Sequence, residues 1–143
     1  MISYLLDTHI VIWLLKKDNR LNENIREDIE YFQHPCYVSI ETLHEIVILQ
    51  SLKKIVLDHD LEKLEKIVDY LHNGQIQILP LGINHLKALG KLPTNKVDKQ
   101  IHDDPFDRIL IAQAIAEKLT IISSDSKFPP YCNCGLKLLV NEK

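Results

Sequence analysis

Acidic side chains recur in this chain at places where packing alone does not explain them. Asp7 closes the apolar run in LLDTH, Glu45 stands in ETLHE, Asp104 and Asp107 lie in HDDPFDR, and Asp125 follows TIISS in SSDSK. Carboxylates brought together repel one another, and they stay ionised as a group only when a cation lies among them. A hard, oxygen-seeking divalent ion, Mg²⁺ or Mn²⁺, suits such donors. A site of that kind acts mostly on phosphates.

Each acid also has a plainer reading. Asp7 can serve a turn or cap a helix, but its place at the end of a buried run, with the other acids in view, favours a metal ligand. Glu45 lies on the helix side partly shared with Leu49 and Leu52, where a glutamate is out of character unless paired; an ordinary exposed glutamate is the alternative. Glu41, four residues earlier, is the weaker candidate. Asp104 before Pro105 is accounted for by helix capping as well as by chemistry, and Asp107 at the third helical position also fits a capping box. Asp107 is the preferred ligand, with Asp104 as its support. Asp125 can be a turn residue. Thr8 and Ser123 can donate hydrogen bonds that orient these carboxylates. Arg108 can hold a flanking phosphate or serve equally as a structural ion-pair partner, and the loop lysines Lys91, Lys96 and Lys99 are further phosphate contacts.

The elements that must position these groups alternate. Residues 2–6 read as a strand covered on both faces and end at Asp7. Residues 10–15 continue as a short helix, and Asn22 caps a second one with Ile25, Ile29 and Phe32 on one face. Pro35 stops it, and residues 36–38 begin another strand. Ser39 caps a helix over residues 40–52 whose apolar face holds Leu43, Ile46, Val47 and Leu49. Asp60 is expected to cap an amphipathic helix with Leu61, Leu64, Ile67, Val68 and Leu71 inward, stopped at Asn73-Gly74. A third strand spans 76–79, a short helix 84–89, and a polar loop 91–103. The helix from Asp104-Pro105 to Lys118 is apolar nearly all round and should be central. Residues 119–122 and 137–140 supply the last strands. Such alternation implies an α/β fold with right-handed crossovers and a mainly parallel sheet of four to five strands. Ligands in such sheets sit beyond the carboxyl ends of the strands, where Asp7, Ser39 and Asp125 fall.

Composition narrows the rest. At 143 residues and 45% apolar content the chain makes one domain, without repeats or linkers. A net charge of −3 argues against bulk electrostatic nucleic-acid binding, so any contact with RNA or DNA must be local or metal-assisted. Cys36, Cys132 and Cys134 form no even framework and read as reduced thiols. The apolar start lacks a basic leader and no run approaches the roughly 20 residues of a membrane span, so a cytoplasmic protein without a membrane contact is expected. With only four glycines there is no phosphate-cradling loop. The seven histidines show no zinc spacing, and most read as surface or loop residues. The serines occupy no nucleophile elbow. Trp13 reads as a core or interface anchor rather than a base-stacking platform.

LLDTHIVIWLL, VSIETLHEIVI, ILPL, HDDPFDRILIAQAIAEKLTIISSD and YCNCGLKLLV, in this order, resemble the PIN-domain ribonucleases, and specifically the VapC-type toxins of bacterial toxin–antitoxin pairs. The likeness spans essentially the whole chain, and DPFDR with the following LIAQA is its specific part. It implies a three-layer α/β/α sandwich as a single PIN-like domain over residues 1–143. It further implies Asp7, Glu45, Asp107 and Asp125 as the catalytic and Mg²⁺- or Mn²⁺-binding acids, Asp104 as the added aspartate of the DTH/DPFDR subgroup, and His9 where many members carry Asn. A homodimer, a small cognate antitoxin laying a helix in an apolar groove and pushing a basic side chain into the acidic site, and structured RNA such as tRNA loops as substrate follow from the same likeness. Two rivals remain open. One is a catalytically silent, metal-binding interaction module; the other is a phospho-acceptor or phosphatase domain using Asp7 as nucleophile, which would want a second acid near Asp7 and a lysine at a late strand end.

Overall fold

The computed structural model describes residues 1–142. Five strands, β1 (Tyr4–Leu6), β2 (Cys36–Ser39), β3 (Gln77–Leu79), β4 (Thr120–Ser123) and β5 (Lys137–Val140), form one sheet in the order β3-β2-β1-β4-β5, every pair parallel. The helices between them are α1 (Thr8–Lys16), α2 (Glu23–Glu30), α3 (Ile40–Ser51), α4 (Leu64–Asn73), α5 (Ile83–Gly90) and α6 (Pro105–Glu117).

Side-chain alternation along the strands divides the core. Tyr4, Leu6, Val38 and Ile122 pack with Ile10, Leu14, Ile25, Ile29, Leu43, Ile46, Ile67 and Leu71 of α1 to α4 on one face. Leu5 and Ile121 point the other way, onto Leu110, Ile111, Ala112 and Ala114 of α6 with Phe128 and Tyr131. Helices therefore cover both faces, giving the expected three-layer sandwich, and β1 is buried throughout as an all-apolar central strand should be. Five consecutive residues of α6, Leu110 to Ala114, are buried, as a helix apolar all round requires.

Three local expectations are corrected. Phe32 lies beyond the end of α2 at φ 57° and half exposed, because Tyr31 closes the helix with its backbone N–H. Asp60 caps nothing; it belongs to a short 3₁₀ turn (His59–Leu61), and α4 begins behind Lys63, with no side-chain cap, at Leu64, which is exposed rather than inward, leaving Ile67 and Leu71 as its buried residues. Val47 points outward at 42% exposed, so the buried stripe of α3 is Thr42, Leu43 and Ile46. A second 3₁₀ segment, Pro129–Cys134, was unforeseen; Gly135 at φ +99° ends it and turns the chain into β5.

The sheet order reverses between β1 and β4. Chain leaves their adjacent carboxyl ends toward opposite faces, opening the crevice where parallel α/β sheets place ligands. Asp7 follows β1, its N–H donating to the Ile122 carbonyl of β4 at 3.1 Å, and Ser124 and Asp125 follow β4.

Candidate active site

Asp7 is the N-cap of α1 and 4% exposed. Both oxygens are engaged: Oδ1 accepts from the Thr8 N–H at 2.7 Å and Oδ2 from the Ser123 hydroxyl at 2.7 Å. The Ser123 hydroxyl also accepts from the Asp125 N–H at 3.0 Å, so one buried serine ties the acid after β1 to the acid after β4. The capping role and a place in the cluster thus coincide in Asp7. Thr8 donates its hydroxyl across to Glu45 Oε1 at 2.7 Å, which turns the half-buried Glu45 of α3 toward the same crevice.

Asp107 approaches from the first turn of α6. Asp104, exposed, caps that helix by accepting from the Asp107 N–H at 3.0 Å. Burial and then the nearby charges of Asp7, Asp104, Asp125 and Glu45 push the Asp107 carboxyl up to about 8. Asp7 is pushed up to about 6, chiefly by burial, with Asp125 adding repulsion and the bonds from Ser123 and Thr8 opposing. The charges of Asp7, Glu45, Asp104 and Asp125 are thus all felt at Asp107, and that of Asp125 at Asp7.

Asp125 Oδ1 also accepts from the Lys127 N–H at 2.9 Å, the turn role open to it. Arg108 sends Nη1 to the Pro93 carbonyl at 2.8 Å and the Tyr131 hydroxyl at 3.0 Å, so that arm is occupied inside the protein. Lys91, Lys96 and Lys99 are exposed on the loop before α6.

One neighbour was missed. His102 Nε2 lies 2.9 Å from Asp107 Oδ2, one proton lying between them, and its Nδ1 is buried without a hydrogen-bond partner among the described residues. Burial lowers its pKa. The buried Tyr131 fixes the loop by donating its hydroxyl to the His102 carbonyl at 2.7 Å. No spacing rule singles out a histidine five residues before an aspartate; the contact exists only because the loop folds back over Tyr131.

All donors converging here are carboxylate oxygens, the kind a hard divalent ion takes. Among the described residues, no three His, Cys, Asp or Glu side chains are as yet close enough together to enclose a metal ion. Ser123, Thr8 and His102 hold the acids instead. In donor chemistry the acids fit a hard divalent ion.

The PIN domain family model matches residues 4–132. The chain belongs to the PIN-domain family. A comparison with curated proteins found no match. Among solved structures, it resembles VapBC2 from Rickettsia felis bound to a promoter DNA fragment, at TM-score 0.74 and 20% identity over 99% of this chain and 100% of that one. VapBC-1 from nontypeable Haemophilus influenzae gives 0.69 and 19% over 99% and 100%. VapBC-5 from Mycobacterium tuberculosis, a member of the VapBC family of toxin-antitoxin systems, gives 0.64 and 16% over 100% of both chains. These likenesses show a shared fold along the whole length.

Proposed function

We propose that this protein is a metal-dependent endoribonuclease and the toxin of a toxin–antitoxin pair. One observation supports the reading: at the start of α6 the Asp107 carboxyl is pushed up to about 8, first by burial and then by the charges of the sequence-distant Asp7, Asp104, Asp125 and Glu45 near the carboxyl ends of β1 and β4. The family membership and the VapBC-like fold support it.

In this mechanism Asp7, Glu45, Asp107 and Asp125 would hold one or two Mg²⁺ or Mn²⁺ ions, with Asp104 in support. A bound ion of this type supplies Lewis acidity toward a phosphate oxygen and a lowered pKa for water. The protein's own share is placement. Ser123 aims Asp7, Thr8 aims Glu45, and His102 with the cap from Asp104 aims Asp107. As ligands, Asp7 and Asp107 would have to be deprotonated, against the raised pKa that burial gives each. Arg108, through its remaining guanidinium edge, and the exposed Lys91, Lys96 and Lys99 contact flanking phosphates of single-stranded loops in structured RNA such as tRNA.

The antitoxin occupies the groove of about 550 Å³ between the end of α3 and the start of α4, where Val47, Ile55, Val56, Leu57 and Leu64 lie among the polar Gln50, Ser51, Lys53 and Glu62. Its apolar residues Val47, Val56 and Leu64 are exposed in the isolated chain, as an amphipathic helix would require. The toxin itself is a homodimer acting in the cytoplasm. Among the described residues no helix is long and apolar enough to cross a membrane.

Induced expression of wild type and of Asp7→Asn, with sequencing of new RNA 5′ ends, tests the assignment. Wild type should arrest growth and create ends, and the variant should lose roughly 100-fold or more of the cleavage. Equal ends in both cultures would remove the acidic cluster from the chemistry. Purified wild type that binds Mn²⁺ and leaves RNA intact would point to a silent interaction module.

A further inference from the structure

Beside the acids lies a cavity of about 240 Å³ lined by Asp7, His9, Trp13, Ser124 and Asp125. Trp13 packs against the main core, as an anchor should, yet it is only half buried and its indole also forms one wall of this space. His9 and Trp13 are four apart on α1 and share a side, their rings 6.0 Å apart and tilted by 56°. The Arg20 guanidinium sits 5.1 Å from the Trp13 ring centroid. Asp18 holds that guanidinium by Nε at 3.1 Å and Nη2 at 2.7 Å, so its plane is set before anything binds. The Trp13 wall, with the Arg20 guanidinium against its ring, thus opens on Asp7 and Asp125.

Charge explains what such a wall could add. The chain carries a net charge of −3 and the crevice gathers carboxylates, so long-range attraction of a phosphate backbone is weak. Beside local or metal-assisted phosphate contacts, binding of a single strand can draw on contacts that do not depend on net charge, and stacking of unpaired bases on aromatic side chains is the sequence-tolerant one.

We propose that Trp13, flanked by His9 and Arg20, is a stacking subsite for one unpaired nucleobase of an RNA strand, next to the phosphate held at the acids. This rests on the ribonuclease reading and adds to it the residue that positions the strand. Cleavage then needs an unpaired base beside the cut, and selects loops over duplex by that requirement.

Trp13 is the chain's single tryptophan, so its fluorescence reads the subsite directly. The probes are pentauridylate and pentaadenylate, intact or with one abasic ribose at each position in turn, titrated in EDTA and again with Ca²⁺. Intact pentamers should quench Trp13 saturably. One abasic position should abolish the quench and weaken binding, followed by anisotropy of a labelled pentamer, by about tenfold. Trp13→Leu should bind every pentamer as weakly as wild type binds that abasic one, and Trp13→Phe should restore the discrimination. Pentamers that bind without altering Trp13 fluorescence, indifference to every abasic position, or no binding at all would overturn the subsite. Cleavage of cellular RNA by the wild type, assayed in parallel, reports separately on the ribonuclease reading, which stands or falls without the stack.

Discussion

Ser123 shows how much of the site depends on one hydroxyl. It is 1% exposed, donates to Asp7 and accepts from the Asp125 backbone, so no water can take its place without rearrangement. Ser123→Ala leaves a buried carboxylate oxygen and a backbone N–H without partners, a loss of about 1–3 kcal/mol. The Asp7 pKa should climb further, since the Ser123 bond lowers it. Chemical denaturation should register the first effect, and calorimetric titration with Mn²⁺ at neutral pH should register the second as weaker binding. At this scale the sequence was legible where a charge interrupts an apolar run, as at Asp7 and Asp125. It was not legible where a contact depends on a loop's path: His102 reaches Asp107 and Trp13 reaches the cavity beside Asp7 only after folding.

Among the elements, α6 carries the sharpest local instruction. Asp104-Pro105 starts the helix, and the Asp104 side chain takes the Asp107 N–H, so the cap and the acid it presents are one unit. Asp104→Asn keeps an acceptor for that N–H and should unfold within a few tenths of a kcal/mol of wild type, whereas Asp104→Ala should lose about 1 kcal/mol. If capping is its whole contribution, Asp104→Asn also keeps its Mn²⁺ affinity. A tenfold weaker ion in the well-folded Asn variant would make Asp104 a direct ligand. The strands and α6 were readable because short all-apolar runs and a Pro-led start have few other meanings. The start of α4 was not, since Asp60 fits a capping pattern but the intervening 3₁₀ turn delays the helix to Leu64. The break after α2 hides likewise, because Phe32 keeps helical spacing while its backbone takes a left-handed conformation.

At the scale of the whole molecule, the cluster makes folding stability depend on pH in an unusual direction. Asp107 at about 8 and Asp7 at about 6 both lie above the ordinary 3.8, so the folded metal-free protein binds more protons than the unfolded chain. Their contribution is fully present below pH 4 and is lost as pH rises through each folded value. His102, lowered by burial, works oppositely below its ordinary 6.5, because the unfolded chain then takes the proton first. Between pH 6.5 and 8 the Asp107 carboxyl is left to set the slope. The metal-free protein should lose on the order of 1 kcal/mol across that interval after allowing for solvent screening, seen as a Tm lower by about 3 °C. Ligand binding to the folded state reverses the loss by mass action, and protons compete with it. Excess Mn²⁺ should therefore raise Tm more at pH 8 than at pH 5.5. Asp107→Asn should flatten the metal-free slope and blunt the Mn²⁺ shift together. A slope that survives this substitution would mean that the proton uptake lies elsewhere in the fold and that the acids after β1 and β4 do not act as one electrostatic group with the start of α6.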